Sequence, residues 1–230
     1  MSEQRRQVLK FDFYKIDPQW RLLPPNQMEA SKEEFVSVVE EFSSKVSTRC
    51  YSLVGIRGDC DFLLWRTSWD IEALQDMGAQ LNHTALAPYY TLPYSYLAMK
   101  RPSQYVQEHR HEAQEGSSTT FEPSAAPYFI VYPFLKTRDW YLLSKEERQG
   151  MMNAHFEVGH KYPSVRINTA YSFGLDDQEF LVSFEATELS DFLELVMELR
   201  GTEGSRYTLR DTPIFTSVAK DLRATLDQIG

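Results

Sequence analysis

The sequence predicts an α+β fold made of two ferredoxin-like units, β-α-β-β-α-β written twice in one chain, and three observations carry that expectation. Runs with a two-residue apolar period and runs with a helical period follow one another in the same order in both halves. Glycine and acidic residues separate paired strand-length runs at corresponding places in each half. Segments 55–74 and 174–192 share one theme, a glycine, an acidic turn, a Phe-Leu strand and an acidic helix start, which is an internal repeat. Each antiparallel sheet has one face covered by its own helices, so the expectation is that the two open faces pack together as a dimeric α+β barrel within one chain.

The elements follow in order. Residues 8–15 alternate, with Leu9, Phe11 and Phe13 on one side, and read as a half-buried strand. Ser31 and Glu34 stand in capping-box spacing before the stripe Phe35, Val38, Val39, Phe42, which places a helix over about 32–46. Residues 51–56 and 61–67 form a hairpin across Arg57-Gly58-Asp59, Asp70 caps a helix carrying Ile71, Leu74, Met77 and Leu81, and 93–100 is the closing strand. After a polar linker at 104–124 the order recurs. It comprises a strand at 128–134, a capping box Ser144/Glu147 with a helix over about 145–158 ended by a left-handed Gly159, strands 165–173 and 180–185, a helix from Leu189 closed by Gly201, and a last strand at 207–216. The halves are therefore 1–103 and 125–230.

Composition narrows the function classes. With 42% hydrophobic and 25% charged residues the chain is globular, and its net charge of −9 would repel nucleic acid and anionic lipid. The N-terminal residues lack the apolar core of an export signal and no apolar run reaches bilayer length, so a cytoplasmic protein without membrane insertion is expected. Cys50 and Cys60 read as a reduced pair with no assigned role. The 13% aromatic content suits a pocket for a flat apolar ligand.

Of the five histidines, His83, His109, His111, His155 and His160, none shows metalloprotease or zinc-cluster spacing. His155 lies in MMNAHFEVGH on the sheet-facing stripe of its helix, one turn after Met151 and Met152. From that pattern it is either a buried histidine bonded to a backbone carbonyl or a single imidazole ligand at the edge of an apolar cavity, the arrangement five-coordinate heme iron requires.

Residues 128–207 contain in order YPFLK, WYLL, ERQGMMNAH, GLDD, FE and LRGTE. This stretch resembles the C-terminal half of the chlorite dismutase superfamily, which includes the coproheme decarboxylases. PYSYLAMKRPSQYV extends the likeness to the first half. The resemblance implies a duplicated ferredoxin-like fold, a porphyrin (heme b or iron coproporphyrin III) in the second half and a homopentamer. It puts His155 at the iron ligand, Tyr132 at a tyrosine oxidised to a radical, Lys136 at a propionate contact, Trp140 at a pocket aromatic, Ser205 near a propionate and Glu203 where an acid orients the proximal histidine. The distal arginine of true chlorite dismutases, seven residues before the GLDD glycine, is replaced by Ile167, and the adjacent Arg166 should point to the opposite face. VRINT resembles the VRANT of an actinobacterial group in which a linker histidine is the distal base, here His109 or, second, His111. The expected activity is peroxide-dependent decarboxylation of coproheme to heme b. The alternatives are a chlorite dismutase or heme peroxidase, and a non-catalytic heme carrier.

Overall fold

The computed structural model of the protein describes residues 5–105, 120–121 and 123–230. They form two compact units, Met1–Met99 with Ser217–Gly230, and Lys100–Thr216. Residues 217–230, which the sequence reading left with the second half, thus belong to the first. Among the described residues no helix is long and apolar enough to cross a membrane.

The first unit runs β1 (Val8–Ile16), α1 (Pro25–Glu41), β2 (Ser47–Ser52), β3 (Phe62–Ser68), α2 (Ile71–Leu81) and β4 (Tyr90–Met99). Its strands pair antiparallel in the order β4-β1-β3-β2, the ferredoxin-like order. Helix α1 begins seven residues earlier than the capping-box spacing predicts, because Pro25 occupies the first helical position, where a missing N–H costs nothing. Ser31 is instead buried inside the helix, accepting from Trp20 Nε1 at 2.9 Å, and Glu34 Oε2 accepts from Ala85 N at 2.7 Å. The S-x-x-E pattern thus serves tertiary bonds. Asp70 does cap α2, accepting from Glu72 N at 3.0 Å.

The second unit runs β5 (Tyr128–Lys136), α3 (Arg138–Leu142), α4 (Lys145–His160), β6 (Val165–Tyr171), β7 (Phe180–Ala186), α5 (Leu189–Arg200) and β8 (Thr208–Arg210). Its sheet order β6-β7-β5-β8 is the same topology over again, all antiparallel. The Ser144/Glu147 capping box is present in full, each residue bonding the other's backbone N–H. Gly55 and Gly174, the glycines of the repeat, both adopt positive φ, +74° and +70°, so the shared turn has a shared backbone reason.

Three further differences separate expectation from structure. Gly159 does not end α4. The helix continues to His160, and the glycine stays right-handed where Ile167 of β6 comes close. The single last strand at 207–216 is two, β8 and β9 (Phe215–Ala219), because Pro213 between them has no N–H for a ladder. Helix α6 (Leu222–Ile229) went unread although Asp221 caps it and Leu222, Thr225, Leu226 and Ile229 make a buried i, i+3, i+4, i+7 stripe. Its Lys32–Asp227 and Arg223–Glu29 ion pairs fasten it to α1.

Candidate functional site

In the second unit the space between the sheet and α4 holds a cavity of about 1180 Å³, lined entirely by residues between Lys100 and Asp211. Strand alternation supplies the floor. Tyr132, Phe134 and Lys136 project from β5 with their neighbours Val182 and Phe184 on β7, and Val165, Ile167, Thr169 and Tyr171 project from β6. Met151, Met152, His155 and Gly159 on α4 form the opposite wall at helical spacing. Five Lys or Arg residues but one Asp border this cavity in a chain of net charge −9, which favours an anionic ligand.

His155 faces the cavity and makes no hydrogen bond among the described residues. Burial first, and then the Lys136 charge, lower its pKa to about 4, so the ring is neutral at neutral pH, the form an iron ligand needs. The backbone-bonded reading of this residue is therefore not what its surroundings provide. Tyr132 stacks on Phe184 at 5.6 Å, and among the described residues its hydroxyl has no hydrogen-bond partner. Burial, reinforced by the Asp211 carboxylate, pushes its pKa up, keeping it a protonated phenol.

Lys136 lies 4.4 Å over the Trp140 ring and donates from Nζ to Gly204 O at 2.9 Å. Burial brings its pKa down to about 8. Glu179 sets this corner, which sequence reasoning missed. Its Oε2 accepts from Lys136 N at 2.9 Å and from Tyr141 Oη at 2.6 Å, tying β5 to α3, the short helix that carries Trp140. Only the acid at the end of the GLDDQE turn hinted at it. Arg200 and Asp211, both at the cavity, form an ion pair.

Tyr132, Lys136, Trp140, His155, Ile167 and Ser205 all line the one cavity. Ser205 Oγ donates to Arg200 O at 2.8 Å. Glu203 does not reach the cavity. It begins a 3-10 turn with its side chain 63% exposed and 4.0 Å from Arg206, so it cannot orient His155; the turn rotates it outward. Arg166 is at the rim, its guanidinium 3.4 Å from Glu185, while Ile167 projects inward as alternation predicts. His109 and His111 lie outside the described residues.

The residues fit an iron porphyrin: a neutral, unbonded imidazole opens onto a large, mainly apolar cavity with cationic borders. Comparison with known proteins agrees. The chlorite dismutase family pattern matches residues 28–220. A coproheme decarboxylase of Mycolicibacterium smegmatis is 35% identical over 167 residues, covering 72% of this chain and 70% of that protein. A chlorite dismutase structure from Candidatus Nitrospira defluvii, in complex with imidazole, superposes with a TM-score of 0.88 at 24% identity, covering 98% of this chain and 95% of that one. A heme-binding protein from Thermus thermophilus has a TM-score of 0.82 at 26% identity over 96% of this chain and 95% of that one. The chain therefore belongs to the chlorite dismutase family, in its coproheme decarboxylase branch.

Proposed function

We propose that this protein is a coproheme decarboxylase, converting iron coproporphyrin III to heme b with hydrogen peroxide. The observation that carries the reading is the meeting, in one cavity, of a neutral His155 and a Tyr132 hydroxyl that have no hydrogen-bond partner among the described residues. For each side group the balance is propionate + H2O2 + H+ → vinyl + CO2 + 2 H2O. The bound iron supplies the redox chemistry with peroxide.

The chain's residues do the rest. His155 Nε2 or Nδ1 holds the iron, and α4 holds the ring with no proton to displace. Tyr132, kept protonated by burial, would give up its phenolic hydrogen to the oxidant that peroxide generates and then take one from the β-carbon of a propionate. Cleavage of the C–C bond to the carboxylate would leave the vinyl group and release carbon dioxide and one electron, which that same oxidant would take up. Lys136, with N–H donors left beyond the one to Gly204, orients that carboxylate. His109, and after it His111, is our choice for the distal base. The exposed stripe Leu189, Leu193, Met197 on α5 supports association of copies, a homopentamer in our reading, to be checked by light scattering.

The test is peroxide titration of the protein loaded with ferric coproporphyrin III, followed by product mass and the Soret band. Two stepwise losses of carbon dioxide are expected in the wild type. Tyr132→Phe should bind the porphyrin with unchanged affinity and lose no carbon dioxide, and wild-type turnover in that variant sinks the assignment. Oxygen release from chlorite would return the site to dismutation. Ile167 holds the inward position on β6, and Arg166, at the cavity rim, is engaged by Glu185, which speaks against that chemistry.

A further inference from the structure

We propose that Lys100 is a second carboxylate-receiving point of the cavity, separate from Lys136, and helps set how many acidic side groups a bound tetrapyrrole must carry. The proposal rests on the iron-porphyrin reading of the site.

Lys100 follows directly on β4, lines the cavity and is only 3% exposed. A lysine this buried is ordinarily held against a carboxylate. Here Nζ has no anionic partner among the described residues and rests on the face of Phe121, 5.5 Å from the ring centre. The same ring takes the Arg166 guanidinium at 5.8 Å. The nearby carboxylate, Glu185, is already engaged. It sits 3.4 Å from Arg166 and accepts from Ser124 N at 2.6 Å and Ser124 Oγ at 2.8 Å.

Burial, and after it the repulsion of Arg166, bring the Lys100 pKa down to about 8, so the ammonium is still charged at neutral pH. A desolvated ammonium at a cavity wall, facing a second cation and, among the described residues, no anion of its own, is an electrostatic demand that an entering carboxylate meets with up to three charge-assisted N–H bonds. Lys136 is less demanding, because Gly204 O and the Trp140 face already hold it.

The experiment compares ferric coproporphyrin III, with four carboxylates, and ferric mesoporphyrin IX, with two, binding to the wild type, Lys100→Met and Lys100→Arg, by Soret titration. Lys100→Met should weaken coproporphyrin binding roughly tenfold or more, mesoporphyrin binding much less, and Lys100→Arg should retain the preference. An unchanged coproporphyrin-to-mesoporphyrin ratio in Lys100→Met overturns the proposal. Failure of the wild type to bind either porphyrin overturns the underlying reading of the site instead. Sodium acetate tests whether a free carboxylate is taken as well: competition in the wild type that vanishes in Lys100→Met supports the assignment. Loss of the folded state in Lys100→Met, read by circular dichroism, would contradict it, since removing an uncompensated buried charge should stabilise the ligand-free protein.

Discussion

In the first unit Tyr14, Phe35 and Phe62 close the space between sheet and helices, Tyr14 stacked on Phe62 at 4.6 Å; in the second unit the corresponding space is the cavity. The registers make the two directly comparable. Tyr14 stands opposite Phe62 as Phe134 stands opposite Phe180, and counting back along the strands sets Asp12 against Tyr132 and Arg66 against Phe184. Where the second unit presents a phenol stacked on an aromatic ring, the first buries an Asp12–Arg66 ion pair. The helices complete the difference. Helix α1 drops Phe35 onto the aromatic pair, and α6 adds Leu226 and Ile229, whereas α4 offers methionines, a histidine and a glycine. One topology thus yields a packed core or a binding cavity according to which side chains stand at a few matched positions.

The largest expected effect comes from truncating matched rings. Phe62→Ala should cost the ligand-free protein about 3–5 kcal/mol, because a filled core cannot close over the void. Phe180→Ala, at a wall that already faces space, should cost less than about half of that. Equal losses in urea unfolding would mean that the cavity closes in solution. Next, Asp12→Ala leaves Arg66 buried without its partner and should cost about 3–5 kcal/mol, with the double change Asp12→Leu/Arg66→Met recovering most of it. If the double variant is no better than the single, the pair does more than fill space.

Glu179→Ala deprives the Lys136 amide and the Tyr141 hydroxyl of their acceptor and should cost about 1–3 kcal/mol, together with a blue-shifted Trp140 environment lost from fluorescence spectra. The smallest effect is a pH slope. Lys100 and Lys136 both have folded pKa values lowered to about 8 from an ordinary 10.5. Between those values the unfolded chain binds more protons, so these two groups make stability of the ligand-free protein rise with pH from about 8 to 10.5. Below about 8 both states are protonated and the contribution is flat. Lys100→Met should flatten the rise, and an unaltered slope would show that Lys100 is better solvated than its burial indicates.

Much of this was legible beforehand. The two-residue and helical periods, the Gly55 and Gly174 turns and the Ser144/Glu147 cap are local features, and local features are written in adjacent residues. The site residues were found by resemblance, and six of them meet in one cavity. What escaped depended on distant partners. Ser31/Glu34 looked like a cap because sequence spacing cannot tell a backbone amide in the same helix from Trp20 or Ala85. Glu203 looked like a histidine partner until the 3-10 turn set its direction.

The sequence by itself determined two β-α-β-β-α-β units and a histidine on the sheet-facing stripe of α4, because hydrophobic period and turn chemistry act over a few residues. Only the tertiary structure decided that one unit is filled and the other hollow, that His155 is neutral, and that, among the described residues, His155 has no hydrogen bond and Lys100 no anionic partner. Those properties belong to the space between elements, where burial and charge depend on side chains brought together from far along the chain.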